Sequence, residues 1–236
     1  MNLTEQRPTA NWFNQLPSHR LLAEMSLWSA DLGNLEADMK RVESGTDIFH
    51  IDVADGHFSP ALLFFPDVVA RMRRASAKPF HVHLMVEDAI LENQIAQFAE
   101  AGADLISVHA ENRNAPVAVQ NILRRGLKAG LVLQLHSPVA AAEAFLDSID
   151  MLTLLGTRMG VKGQGLADEA QSRLREARSL VKGSPHRILV AADGGIREHS
   201  VPLLYRAGAE TIVMGSLAFG APDFAGRMAW VKSLAP

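Results

Sequence analysis

The feature that most constrains this chain is an alternation that runs for nearly its whole length. From Leu21 onward, short apolar runs are separated by longer stretches with helical spacing. The runs are Leu21 to Trp28, Asp47 to Val53, Pro79 to Met85, Asp104 to His109, Gly130 to Leu135, Asp150 to Leu155, Arg187 to Ala192 and Glu210 to Met214. Between them, sets such as Leu35, Met39 and Val42, or Ile95, Phe98 and Ala99, or Leu174, Ala177 and Leu180 recur every three or four residues, the period of a helix with one apolar face. Strands joined by helical crossovers are parallel, and eight such units in about 200–250 residues favour a closed (β/α)8 or TIM barrel. An open doubly wound α/β sheet is the alternative, but the glycine-rich dinucleotide fingerprint that often follows its first strand is missing.

A weak repeat marks the same units. Glu43-Ser44-Gly45-Thr46-Asp47, Glu100-Ala101-Gly102-Ala103-Asp104 and Arg206-Ala207-Gly208-Ala209-Glu210 each precede an apolar run. The spacing predicts that each glycine ends a helix as a left-handed cap and that the following acid leads into a strand. Residues 1–19 hold Pro8 and Pro17 and no sustained period, which predicts an N-terminal arm that packs on a neighbour, with the barrel over 20–236 as a single domain.

Composition narrows the function classes. The formal net charge is −3 and the basic residues are scattered, so the chain lacks the electrostatic footprint of a nucleic-acid or anionic-membrane binder. No stretch approaches the roughly 18 apolar residues of a membrane span, and the first eight residues do not read as a signal peptide. A soluble cytoplasmic protein is the simplest expectation. There is no cysteine, so a soft-metal site has to be built from His, Asp and Glu. Trp12, Phe13 and Trp230 near the termini are weak pointers to a homo-oligomer.

In a barrel, catalytic groups stand at the C-terminal ends of strands. His50 and Asp52 lie two apart in the second run, so a strand sends both side chains to one face. His83 sits near the end of the third run, and Asp193 ends the seventh, immediately before Gly194 and Gly195. Singly, each is compatible with hydrogen-bonded packing or a turn. Together, two imidazoles and two carboxylates make a plausible site for one divalent metal, Zn, Fe, Mn or Co. Loops after late strands commonly hold phosphate, and Gly194-Gly195 and Gly215-Ser216 offer backbone N–H groups that an anion can approach.

Five ordered segments carry a specific resemblance: Ser26-Leu27-Trp28-Ser29-Ala30-Asp31, His50-Ile51-Asp52-Val53-Ala54-Asp55-Gly56-His57-Phe58, Val82-His83-Leu84-Met85-Val86, Ala192-Asp193-Gly194-Gly195 and Gly215-Ser216-Leu217-Ala218-Phe219. In order and spacing they resemble the motifs of the ribulose-phosphate 3-epimerase family, over nearly everything after Leu21. The resemblance implies a (β/α)8 barrel with one catalytic divalent cation at His50, Asp52, His83 and Asp193. It implies that Asp52 and Asp193 alternate as base and acid on opposite faces of a phosphorylated ketose, inverting C3 through an enediolate. Ser26 and His83 would contact the substrate. D-ribulose 5-phosphate to D-xylulose 5-phosphate is the first expectation. The alternatives are a tetrulose or hexulose phosphate such as allulose 6-phosphate, a metal-dependent sugar-phosphate lyase or decarboxylase, and a non-catalytic sugar-phosphate sensor.

The chain also departs from that pattern. The family's Pro-Gly-Phe-Gly-Gly-Gln loop after the sixth strand reads Arg158-Met159-Gly160-Val161-Lys162-Gly163-Gln164 here. Gly160, Gly163 and Gln164 survive as substrate-loop candidates, and Arg158 and Lys162 add cations able to hold phosphate. A methionine of the second motif is Ala54, while Met85 is kept. The segment Pro60-Ala61-Leu62-Leu63-Phe64-Phe65 replaces a more polar one and is expected to add bulk near the substrate.

Overall fold

A computed structural model describes residues 7–234. Eight parallel strands close into a barrel in sequence order: β1 (Leu22–Ser26), β2 (Ile48–Ala54), β3 (Phe80–Met85), β4 (Leu105–His109), β5 (Lys128–Leu133), β6 (Met151–Leu155), β7 (Leu189–Asp193) and β8 (Thr211–Met214). α1 (Trp12–Gln15) precedes the barrel. Outside it lie α2 (Leu35–Val42), α3 (Pro66–Arg73), α4 (Asp88–Ala101), α5 (Ala115–Arg124), α6 (Ala170–Val181) and α7 (Val201–Arg206), followed by the short α8 (Ser216–Phe219) and α9 (Phe224–Ser233). The fold is the single (β/α)8 barrel that the alternation predicts. The crossover after β5 is a 3-10 helix, Val139–Phe145, entered from Pro138. β5 starts at Lys128, two residues before the apolar run, since Lys128 N–H bonds Asp104 O across the ladder.

Period two divides each strand. Outward residues such as Met25, Phe49, Ile51, Val82 and Leu84 bury against the helices in one continuous core. Inward residues form a second core whose character changes along the barrel axis. At the N-terminal end lie Leu22, Ile48, Leu105, Met151 and Leu189. Two residues further along the same strands come Glu24, His50, Ser107, Thr153 and Ala191, and two further Ser26, Asp52, His109, Leu155 and Asp193. The apolar end is closed by α1: Trp12 and Phe13 pack onto Leu22, Ile48, Leu105, Met151 and Leu189. The N-terminal arm therefore packs its aromatics on this chain's own barrel, and they are not free to pack on a neighbour. Residues 1–6 of the expected arm lie outside the described residues.

The repeated acids act as clasps. Asp47, Asp104, Asp150 and Glu210 each precede an even-numbered strand, and each carboxylate accepts a backbone N–H of the strand before: Ala23 at 2.9 Å, Phe80 at 2.9 Å, Ala129 at 3.0 Å and Val190 at 3.2 Å. Each is also paired with a cation, Arg20, Arg73, Lys128 and Arg178 respectively. Gly102 and Gly208 have the expected positive φ, 109° and 108°. Gly45 does not cap a helix that way. It closes a 3-10 turn, and a Cβ there would stand 2.5 Å from Met228 Cγ, so close packing against α9 is what requires glycine.

Among the described residues, no helix is long and apolar enough to cross a membrane.

Candidate active site

At the C-terminal end of the barrel, a cavity of about 330 Å³ is lined by Ser26, Asp52, His83 and Asp193 and capped by the loops after β6, β7 and β8. The parallel register of β2 and β3 sets Asp52 beside His83 and His50 beside His81. Asp193 reaches the same place from β7, three strands round the barrel from β2. His50 is wholly buried one layer below, and its Nε2 is 3.1 Å from Asp52 Oδ1.

The contacts explain how each group is held. Ser26 Oγ donates to Asp52 Oδ2 at 2.8 Å, so Ser26 positions a carboxylate as well as lining the cavity. His50 Nδ1 is 2.8 Å from Glu24 Oε1, and His81 Nδ1 bonds the same oxygen. His81 Nε2 is 2.6 Å from Ser107 Oγ, completing a fully buried set. His83 Nε2 is 2.8 Å from His109 Nε2, whose Nδ1 is 3.1 Å from Glu111 Oε2.

Within this cluster one buried nitrogen is left over. His83 Nδ1 makes no hydrogen bond, yet it lies 3.4 Å from Asp52 Oδ1 and 3.9 Å from Asp193 Oδ2. Leaving such an atom without a partner is costly. One donor atom from each of His50, Asp52, His83 and Asp193 lies within 4.8 Å of the others. A divalent ion with ligand bonds of about 2.0–2.2 Å fits a donor set of this size and chemistry. Glu24, His50 and His81 also cluster, but their direct hydrogen bonds leave no room for an ion between them.

The electrostatics separate the two aspartates. Burial pushes Asp193 up to about 6, with Asp52 adding to the rise against the opposing pull of His50 and His83. Burial acts on Asp52 as well, but His50 and His83 overcome it and hold this carboxyl well below its ordinary value. Burial also disfavours charge on His50, yet Asp52 and Glu24 hold it well above the usual imidazole value. Burial drives His109 down to about 4. Two carboxyl groups in one site with opposed shifts are the arrangement that lets one fold offer both an acid and a base.

The loops carry the remaining candidates. Gly160, Gly163, Gly194, Gly195, Gly215 and Ser216 all line the cavity. Gly194 and Gly195 are consecutive residues at φ 87° and 70°, and a Cβ on Gly195 would stand 2.7 Å from Leu166 Cα, so the turn after Asp193 admits glycine alone. Lys162 Nζ donates to Trp28 O at 2.6 Å and lies 4.7 Å from the Trp28 ring centroid, pinning the loop after β6 across the mouth. Arg158 also faces the cavity. Phe65 and Leu62 do not: they are 59% and 80% exposed, so the expected bulk near the substrate is turned to solvent because Pro66 starts α3 and directs the segment outward.

The sequence reading did not single out Glu24, His81, His109 and Glu111. The signal for the first two was available: Glu24 is two residues before Ser26, and His81 two before His83, so period two places each on the inward face. His109 ends β4 on the inward face by the same parity, but its pairing with His83 appears only once the two strands stand side by side.

The matches to known proteins agree with this geometry. The model of a family described as the ribulose-phosphate 3 epimerase family matches residues 22–219. The chain is 37% identical over 202 residues to ribulose-phosphate 3-epimerase of Bacillus subtilis (strain 168), covering 84% of this chain and 92% of that one. It is 33% identical over 202 residues to the enzyme of the same name from Escherichia coli (strain K12), covering 84% and 89%. Among solved structures, a 3-hexulose-6-phosphate synthase superposes with a TM-score of 0.66 at 17% identity, covering 92% of this chain and 100% of that one, a likeness of fold.

Proposed function

This chain belongs to the ribulose-phosphate 3-epimerase family, carbohydrate isomerases, and from that premise we propose that it inverts C3 of D-ribulose 5-phosphate to give D-xylulose 5-phosphate. The observation that carries the reading is the convergence of Asp52 and Asp193, from β2 and β7, on the unpartnered His83 Nδ1 in the cavity wall.

Inversion beside a ketone removes the C3 proton, passes through an enediolate and returns a proton to the other face. A single carboxylate cannot readily reach both faces, whereas two that enter the cavity from separate strands can divide the task. Asp52, ionised and hydrogen-bonded by Ser26, is suited to accept a proton. Asp193, which burial pushes up to about 6, is the carboxyl better suited to give one. In the reverse direction the roles exchange. His50, Asp52, His83 and Asp193 are the residues that would hold a divalent cation. Bound there, such a cation supplies positive charge beside the enediolate oxygens as they develop. The phosphate end is assigned to Gly194, Gly195, Gly215 and Ser216, with Arg158 and Lys162 close enough to the cavity to add charge. The loop after β6, tied down through Lys162 and Gln164, is placed to shield a bound substrate from water.

The test is proton NMR of the purified, metal-analysed protein with D-ribulose 5-phosphate in D2O. Loss of the C3 proton signal together with formation of the xylulose is the expected result. No exchange at C3 with metal bound sinks the reading for this substrate, and tetrulose and hexulose phosphates then become the next substrates to try.

A further inference from the structure

Glu111 does not line the cavity, yet two imidazoles connect it to the cavity wall. A hydrogen bond between two ring nitrogens holds one proton, so one ring donates and the other accepts. The direction follows from the far end of the chain. The Glu111 carboxylate can only accept, so His109 Nδ1 is the donor there, and the single proton of a neutral ring is then spent, leaving a lone pair on its Nε2. His83 must then donate from Nε2. Its other nitrogen, Nδ1, is left bare, and Nδ1 is the atom that faces Asp52 and Asp193 without a hydrogen-bond partner.

We propose that Glu111 is a positioning residue which, acting through His109, keeps His83 Nδ1 free of a proton and so available to a divalent cation. The inference rests on the cation site proposed above. Glu24 stands behind His50 in a single step: its carboxylate accepts from His50 Nδ1, and His50 Nε2 lies 3.1 Å from Asp52 Oδ1. A carboxylate behind a ligating imidazole fixes its tautomer and strengthens the ligand. Here one of the two carboxylates acts at one remove, through a second ring.

The surroundings of Glu111 make its substitution informative. Glu111 Oε1 accepts the Gln134 N–H at 3.0 Å and also bonds the Ser137 hydroxyl. In Glu111→Gln these two donors hold the amide oxygen at that position, which turns the amide NH2 toward His109 Nδ1. His109 Nδ1 must then accept and carry its proton on Nε2 instead. His83 Nε2 becomes an acceptor, and its proton moves to Nδ1, the nitrogen a cation needs. A nearly isosteric change outside the cavity therefore reverses every bond in the chain. Ser137→Ala removes one neighbour of Oε1 and reverses nothing.

The experiment uses full-length protein freed of metal by chelation. Co2+ binding is measured by competition with a chromophoric chelator, and the His83 tautomer by long-range 1H–15N spectra. Wild-type protein is expected to show His83 protonated at Nε2. In Glu111→Gln the proton moves to Nδ1 and Co2+ affinity falls by about 10–100-fold, while Ser137→Ala matches wild type on both readouts. Equal Co2+ affinities with an unreversed tautomer overturn the inference and leave the cation site standing. Absence of Co2+ binding by the wild type overturns the cation site, and the inference with it. Should Glu111→Gln fail to fold, the wild-type spectrum still decides, because His83 protonated at Nδ1 in the metal-free protein contradicts the assignment.

Discussion

Asp52 Oδ1 and Asp193 Oδ2 stand 3.4 Å and 3.9 Å from one atom, His83 Nδ1, and their surroundings push them in opposite directions, Asp52 toward the charged form and Asp193 toward the neutral one. Proximity alone does not cause the difference. Asp52 touches His50 and Ser26, whereas Asp193 has neither contact, so burial and the neighbouring charge of Asp52 outweigh the more distant pull of His50 and His83.

Opposed shifts give the two asparagine variants opposite effects on stability when metal is chelated. Asp193 has a folded pKa near 6, above its ordinary 3.8, so its contribution is fully present below about pH 3.8 and is lost as pH rises toward 6. Asp193→Asn should therefore raise Tm above that of wild type at pH 7.5, with the gap closing as pH falls below 4. Asp52 is depressed, so its contribution is present above 3.8 and lost only in acid. Asp52→Asn should lower Tm at pH 7.5. Thermal melts of chelated protein at both pH values check this, and shifts of the same sign at pH 7.5 refute the contrast.

Both variants should nevertheless be nearly inactive. Removing either acid–base partner is expected to reduce turnover by roughly 10²–10⁴-fold, measured with the C3 exchange assay. Either variant keeping most of its activity would remove that residue from proton transfer.

Dialysis against a chelator should abolish epimerisation while the circular dichroism spectrum is retained, since the apolar layer outside the barrel and the apolar cluster at its closed end do not involve the four candidate ligands. One equivalent of Zn2+, Mn2+ or Co2+ should restore activity and raise Tm. Full activity in protein shown by elemental analysis to be metal-free would dispose of the cation site.

Lys162→Ala should raise KM severalfold with a smaller change in kcat, because Lys162 holds a loop to Trp28 and touches no group proposed to move a proton. A fall in kcat at unchanged KM would place Lys162 in the chemistry instead.

Phe13→Ala should destabilise the fold by about 3–5 kcal/mol in urea titration and leave kcat/KM unchanged, since Phe13 closes the end of the barrel away from the cavity. Loss of activity at full stability would contradict that division.

Much of this was legible before any coordinates. His50 and Asp52 share a face by parity alone, and the eight apolar runs match the strands to within about two residues, which is how closely such boundaries can be read. What the sequence could not convey was lateral neighbourhood. That His109 backs His83 depends on the register of β3 against β4, which no single strand encodes. Likewise Trp12 and Phe13 sit in a segment too short for a period, so their burial is a tertiary fact. The outward turn of Phe65 is set by where α3 begins, and hydrophobicity pointed the other way.

The four acid clasps join β1 to β2, β3 to β4, β5 to β6 and β7 to β8. The barrel is in this sense made of quarters, each buttoned within itself and joined to the next by the ladder and helix packing. The piece that could be duplicated, excised or transplanted with its fastenings intact is thus two strands with their crossovers, whereas a cut between the members of a pair would leave a carboxylate without its amide.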